Sequence, residues 1–506
     1  MASFAVLLRS KRSKSCQSPD IIAKNEARKR GNRMPGQDLQ QPQNPLGVES
    51  IGKLLPKYAI PSIISLLVGS IYNIVDQIFI GQGVGTLGNA ATNVAFPLTT
   101  FSIAVALLFG IGGSALYNLL LGQKRQEEAA RVYAHAILFL VITGVLLCVI
   151  SLLFLEPLMK AFGATKANLP YCLSYTGITA IGLPASILSM GGSHLIRADG
   201  SPKYSMFCIT IGAIINTVLD PIFMFVLFPE DMRMQGAALA TILGQFVSAV
   251  LMLLYFVRKV RNVTLTRTCF QVKRAVVGTI VSLGLASFFN QMAMATAQIT
   301  MNNVLKHYGG LSPYGEDIPL ACVAVIIKVN TVLMSFIIGI AQGCQPIISF
   351  SYGAKRYSRV QKTYRTGLLL ATLCSVVGFL CFQIFPEQII SLFGDDGENS
   401  ALYYHFAVRY FRIFMLLTFA NAVQPMTSNF FTAIGKARMG ILISLTRQVL
   451  FLIPLILLFP LLWGIDGVMY AGPIADGASV VLALLLVTRE LRRISRLETL
   501  EGPVTL

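Results

Sequence analysis

The chain has 506 residues, 54% of them hydrophobic and only 13% charged, about half the ~25% charged content of a soluble domain. Mean hydropathy is +0.66. Length alone would allow three soluble domains of ~150 residues, but that much apolar side chain needs a bilayer as its solvent, which excludes them. Net charge is +18, from 41 basic and 23 acidic residues, and in a membrane protein the placement of that excess matters more than its size. Nine cysteines are scattered, mostly in apolar runs such as those around Cys148, Cys208, Cys322 and Cys374. None forms a CxxC pair, so they read as small apolar fillers rather than disulfides or a metal site.

Residues 1–50 differ from the rest. They hold basic stretches at Arg9–Lys14 and Arg28–Arg33 and a Gln/Pro/Asn-rich run from Gln37 to Pro45. Such a segment cannot bury a core, and it is expected to be a disordered basic cytoplasmic tail. It is not a signal peptide, because its short apolar patch at Phe4–Leu8 precedes the charges. No nucleic-acid partner is expected.

From Leu54 onward twelve apolar segments are long enough to cross ~30 Å of hydrocarbon as helices: about 54–80, 90–120, 133–155, 169–198, 203–228, 235–258, 273–305, 319–351, 363–386, 402–434, 439–462 and 466–489. Proline recurs within them, and Pro61, which shares a span with an acid, is a candidate hinge. Lysine and arginine crowd the loops after even-numbered spans, from Lys124 and Arg125 to Lys436 and Arg438, and the stretch Arg489–Arg496. Acids such as Glu156, Glu230, Glu316, Asp317, Asp395, Asp396 and Glu398 collect after odd-numbered ones. The positive-inside rule then puts both termini in the cytoplasm.

The two halves are related. A shift of 231 lays Gly122-Gln-Lys-Arg125 on Gly353-Ala-Lys-Arg356, Val218-Leu219 on Val449-Leu450, and Gly236-Ala237 on Gly467-Val468; a shift of 235 lays Ala198-Asp-Gly200 on Ala433-Ile-Gly435. Each half has an even number of spans, so both enter the membrane the same way. The expected fold is all-α integral membrane, with two parallel six-helix lobes related by a pseudo-twofold axis along the membrane normal. The expected boundaries are an N-lobe over 51–260, a linker over 261–272, a C-lobe over 273–490 and a cytoplasmic tail over 491–506.

No GxxxxGK[ST] phosphate loop is present, so any driving force must be an ion gradient. Ionisable groups inside the membrane cost at least ~2.5–3.5 kcal/mol and demand a reason. Asp76 lies in span one; Asn216 and Asp220, four apart on one helix face, lie in span five; Thr241 lies in span six. At ~1.5 Å per residue they stand about 6, 12 and 9 Å (Asp76, Asp220, Thr241) below the outer ends of their spans. All can converge in the outer half of the N-lobe. Two carboxylates in a low-dielectric pocket cannot both stay ionised without a proton or cation between them, which is a device for binding H⁺ or Na⁺; no other metal and no organic cofactor is expected. The positions matching Asp220 and Asn216 at the 231 shift are Phe451 and Arg447, so the site is not duplicated. Lys328, Arg447 and Asp476 form a C-lobe charge cluster expected to pair internally. Tyr72, Gln291, Gln298 and Asn302 are candidate substrate-cavity residues, polar at helical spacings.

Several stretches together resemble the multidrug and toxic compound extrusion (MATE) family, in its bacterial DinF/MepA-like branch: Val75-Asp76-Gln-Ile-Phe-Ile-Gly81, Arg197-Ala-Asp-Gly-Ser-Pro-Lys203, Asn216-Thr-Val-Leu-Asp220-Pro221, Gly236-Ala-Ala-Leu-Ala-Thr241, Gln342-Gly-Cys-Gln-Pro346 and Tyr352-Gly-Ala-Lys-Arg356. The resemblance runs from Leu54 to about Arg489. It implies a V-shaped antiporter of the bacterial inner membrane that expels organic, often cationic and aromatic, compounds in exchange for H⁺ or Na⁺ by alternating access. It also implies that Asp76, Asn216, Asp220 and Thr241 form the cation site and that Pro61 bends span one. Acids that other branches carry in spans seven and ten are replaced here by Gln291 and Asn421. The same superfamily holds flippases for lipid-linked sugars, which is the alternative function. The partners expected are small organic substrates and the bilayer, with the chain acting as a monomer.

Overall fold

Hydrocarbon offers no water to bond a peptide group, so an apolar segment that crosses it must satisfy its own backbone as a helix. The computed structural model describes residues 44–501 apart from 167, 316 and 392–399. The expectations for residues 1–43 and 502–506, and for Glu316, Asp395, Asp396 and Glu398, lie outside the described residues. Among those described there is no strand, and twelve helices are long and apolar enough to span a membrane. The first six are α1 (Ile51–Gly83), α2 (Thr86–Gly122), α3 (Gln126–Leu153), α4 (Leu169–Ala198), α5 (Pro202–Ile222) and α6 (Arg233–Arg258). The second six begin with α7 (Arg274–Gly310), α8 (Asp317–Gly353) and α9 (Tyr357–Ile384). They end with α10 (Ser400–Phe414, then Val423–Ala433), α11 (Ala437–Leu445 continuing to Trp463) and α12 (Ile465–Glu501).

Four local departures from the sequence reading have physical causes. Span ten is not continuous: turns and a short 3₁₀ segment, Thr418–Ala420, separate its two pieces. Pro425 then falls in the first turn of the second piece, where a missing amide costs nothing. Inside α11 the backbone widens to a π-helix over Thr446–Leu452, directly before Pro454, which cannot donate to the turn preceding it. The region assigned to a C-terminal tail continues α12 to Glu501, because Ile494 is buried and Leu491 and Leu497 pack beside it on the second-half core. Residues 45–50, assigned to the N-terminal tail, instead form a docked turn. Leu46 is buried in that same core. Arg359 Nη2 donates to the Leu46 and Glu49 carbonyls at 2.9 and 2.5 Å, and Arg356 donates to the Gly47 carbonyl.

The halves meet through glycine. A Cβ added at Gly284 of α7 would lie 1.8 Å from the Leu108 carbonyl oxygen of α2, and one at Gly112 would lie 2.1 Å from Ile280 O. Across the axis, a Cβ on Gly339 of α8 would meet Ile63 of α1 at 2.6 Å, and one on Gly343 would meet Ala59 at the same distance. These are one contact seen twice. Positions 108 and 112 become 339 and 343 on adding 231, while 59 and 63 become 280 and 284 on adding 221. At the end of α2, a Cβ on Gly122 would lie 2.2 Å from Phe350 O, and one on its repeat mate Gly353 would lie 2.1 Å from Leu119 O. Such an interface is the isologous contact that a twofold axis requires.

These contacts, with the Ser70–Ser335 hydroxyl pair at 3.1 Å and the Phe101–Phe288 ring pair at 6.0 Å, run from mid-helix to the end of the bundle that carries the basic loops. Near the other end, the buried cluster of Ile80, Ala91, Met159, Met224 and Met234 draws only on residues of the first half, between Phe79 and Ala237. Among the described residues the lobes are therefore closed on one another at the basic end, and the buried cluster at the acidic end belongs to the first half alone.

Candidate functional site

Asp76 sits two turns before the acidic end of α1, and Asn216 and Asp220 are one turn apart on α5. Pro221 follows at once. Its ring removes the amide that would bond the Thr217 carbonyl, and the helix widens to a π-segment over Phe223–Leu227. Asp220 and Asn216 are buried, and Asp76 is 9% exposed. Asn216 Nδ2 spends its two hydrogens on Asp220 Oδ1 at 3.2 Å and Thr241 Oγ1 of α6 at 3.3 Å. The carboxyl groups of Asp76 and Asp220 stand within hydrogen-bonding reach of each other. Asp76, Asn216, Asp220 and Thr241 thus come together, from three helices of one half.

What this cluster lacks decides its chemistry. Asp76 Oδ1, Asp220 Oδ2 and Asn216 Oδ1 are all buried and none has a protein hydrogen-bond donor. Among the described residues no lysine, arginine or histidine pairs with either acid. A buried carboxylate left without donor or counter-charge is costly. Three unsatisfied oxygens, two of them on adjacent carboxyls, form an oxygen-lined seat that a proton or a hard cation would complete.

Tyr72, one turn below Asp76 on α1, borders both acids, as does Tyr175 from α4. Tyr175 was missed in the sequence, where, unlike Tyr72, it has no acid near it in its own span to draw attention to it. A second missed residue is Arg233 at the start of α6. It donates to the Gly83 carbonyl at 3.1 Å, pairs with Glu230 at 2.9 Å and lies 5.6 Å from the Phe225 ring. It therefore ties the acidic end of α1 to α6, just beyond the acids.

Other predicted residues lie elsewhere. Gln291, Gln298 and Asn302 share one face of α7 beyond its last glycine contact with α2; the two glutamines are half-buried and Asn302 is exposed. Arg447 Nε bonds Asp476 Oδ1, while Lys328 pairs with neither. Pro61 is buried within an unbroken α1, and the hydroxyls of Ser62 and Ser65 bond the Tyr58 and Pro61 carbonyls. Asn421 is buried in the interruption of α10.

A further polar hub, unread in the sequence, lies at the basic end of the first half. Asp199 is fully buried and accepts from Tyr117 Oη at 2.7 Å, Tyr255 Oη at 2.8 Å, the Arg261 amide at 2.8 Å, the Asn262 amide at 3.2 Å and Asn262 Nδ2 at 3.1 Å. Nearby, His135 bonds the Arg131 carbonyl through Nδ1, which fixes that nitrogen as a donor, and accepts the Lys273 amide at Nε2 at 3.0 Å. Both ends of the connection between α6 and α7 are thus fastened to the first half.

A family model described as MatE matches residues 61–222 and 286–458. The multidrug export protein MepA of Staphylococcus saprophyticus is 23% identical over 460 residues, covering 90% of this chain and 97% of its own length. A solved structure described as a complex of the MATE multidrug transporter DinF-BH is 31% identical, with a TM-score of 0.79 over 88% of this chain and 96% of that one. A second, described as the outward-facing conformation of a multidrug resistance MATE family transporter of the MOP superfamily, has a TM-score of 0.82 at 22% identity, over 89% and 98% of the two chains.

Proposed function

The chain belongs to the MatE family, a family of transporters, and from that premise we propose that it exports organic, often cationic and aromatic, compounds in exchange for H⁺ or Na⁺. The three donorless oxygens around Asp76 and Asp220 carry the ion-coupled part of this reading. The cargo class is supported by the descriptions of the MepA relative as a multidrug export protein and of DinF-BH as a multidrug transporter.

The seat lies toward the acidic end of the bundle, where the buried cluster belongs to the first half alone, so an ion reaches it from that end. Two bare carboxylates ~4 Å apart repel by about 4 kcal/mol at an effective dielectric of ~20. A shared proton or Na⁺ removes that repulsion and supplies the missing partner, drawing α1 and α5 together. Because α1 also forms half of the glycine interface with α8, a change in its packing at Asp76 bears on the contact that closes the basic end. Pro61 lies within that interface, between Ala59 and Ile63, and serves as the hinge. Ion binding thereby favours one tilt of the lobes and cargo binding the other, which is alternating access. Tyr72, Gln291, Gln298 and Asn302 line the cleft that cargo occupies.

The basic end faces the cytoplasm of a bacterial inner membrane, with both termini inside, and one chain suffices. The test is efflux of a fluorescent organic cation from proteoliposomes with proton and sodium gradients imposed separately. Asp76→Asn and Asp220→Asn should each lower gradient-driven efflux at least about tenfold while preserving the fold. Undiminished efflux in both would remove the ion seat.

A further inference from the structure

We propose that the cleft bounded by α7, the turn between α10 and α11 and the last turns of α12 binds the headgroup of an anionic phospholipid. The cleft measures about 1440 Å³ and lies at the basic end of the second half, far from the acids of the first. Its polar wall is almost wholly cationic: Arg438, Arg489, Arg492, Arg493 and Arg496, with Lys436 beside them. The single carboxylate in the lining, Glu490, is bonded by Lys436. Five guanidinium groups thus face one concavity, and among the described residues no acid pairs with any of them.

The other wall is hydrocarbon. Val481 and Leu485 of α12 are 58% and 65% exposed, and Met439 of α11 is 41% exposed. Along α12, Val481, Leu485, Arg489, Arg492 and Arg496 step by three or four residues, so they share one helix face. Leucine gives way to arginine over one turn, about 6 Å of rise. That gradient from apolar to guanidinium is the gradient of a phospholipid from acyl chain to phosphate. The planar guanidinium fork matches phosphate oxygens two at a time. A general excess of basic residues at this end would not require a concave site, nor an exposed apolar strip in register with the charges.

The experiment uses the purified full chain, delipidated in neutral detergent, with phosphatidylglycerol or phosphatidylcholine titrated and bound lipid counted by native mass spectrometry. Preferential retention of phosphatidylglycerol is expected. At about fivefold per cation lost, the triple variant R489Q/R492Q/R496Q should bind it roughly 100-fold more weakly. The triple K203Q/K362Q/R365Q removes the same charge from the same end outside the cleft and should change binding less than about twofold. V481S/L485S alters no charge and should still weaken binding severalfold. Equal loss in the two charge triples would overturn the proposal, because only a diffuse surface field would be at work. So would displacement of phosphatidylglycerol by inorganic phosphate alone, or unchanged binding in V481S/L485S.

Discussion

Gly284→Ala tests whether the glycine interface sets the closed state. The added Cβ would sit 1.8 Å from the Leu108 carbonyl oxygen, where a relaxed C···O contact needs ~3.3 Å. Helices α2 and α7 must therefore part by about 1.5 Å. Because the obstacle is backbone, no side chain can rotate away, and overpacking of this kind costs ~1–3 kcal/mol. The helix itself gains, since Ala is favoured over Gly by ~1 kcal/mol in a helix interior; any loss therefore comes from the interface and not from α7. The penalty falls only on the state in which the lobes touch, so its population relative to the open one should drop roughly 5- to 150-fold. Spin labels at the exposed positions Lys203 and Lys362, one on each half, would report this as a second, longer distance population, with efflux reduced in parallel. Gly278→Ala, on the same helix with nothing within 4 Å of its Cβ, is the control and should resemble the parent. If the two alanines give the same distances and the same efflux, the steric argument is wrong.

Further tests address the remaining polar groups. Asn216→Ala removes the amide that bridges Asp220 and Thr241 and should raise the half-saturating concentration of the coupling ion about five- to thirtyfold, as one or two hydrogen bonds of ~1 kcal/mol are lost; an unchanged ion dependence would contradict the seat. Asp199→Ala strands the buried Tyr117 hydroxyl and the amides of Arg261 and Asn262, while Tyr255 keeps its bond to Ser201, so unfolding should become easier by ~2–4 kcal/mol, read as a lowered melting temperature in detergent. His135→Ala should speed hydrogen exchange at the Lys273 amide about tenfold, as that amide loses its acceptor. Arg447→Met leaves the buried Asp476 carboxylate without its partner and should cost ~3–5 kcal/mol, while R447M/D476L should recover most of it; equal destabilisation in the single and double variants would show that the pair was not the cause.

The twelve crossings and the two-lobe repeat were legible in the sequence, because the bilayer imposes its thickness on any chain that spans it and because aligned residues such as Lys124-Arg125 and Lys355-Arg356 survive in both halves. Asp76 and Asp220 stood out for a similar reason: a carboxylate in hydrocarbon is too costly to be incidental. Only the three-dimensional arrangement brings α1 against α5 and α6, since 140 or more residues separate Asp76 from its partners and no local pattern encodes which helix faces which. The same holds for Tyr175 and Arg233, whose surroundings come from other helices. The 221 shift that relates α1 to α7 lays only Gln77-Ile78 on the identical Gln298-Ile299 within the spans, too short a match to stand out, and becomes plain in the glycine contacts. Docking of residues 45–50 likewise depended on Arg356 and Arg359, more than 300 positions away. Segment length, polarity and charge are properties of one stretch of chain and can be read from it; packing partners are properties of two, and become visible only when both are in place.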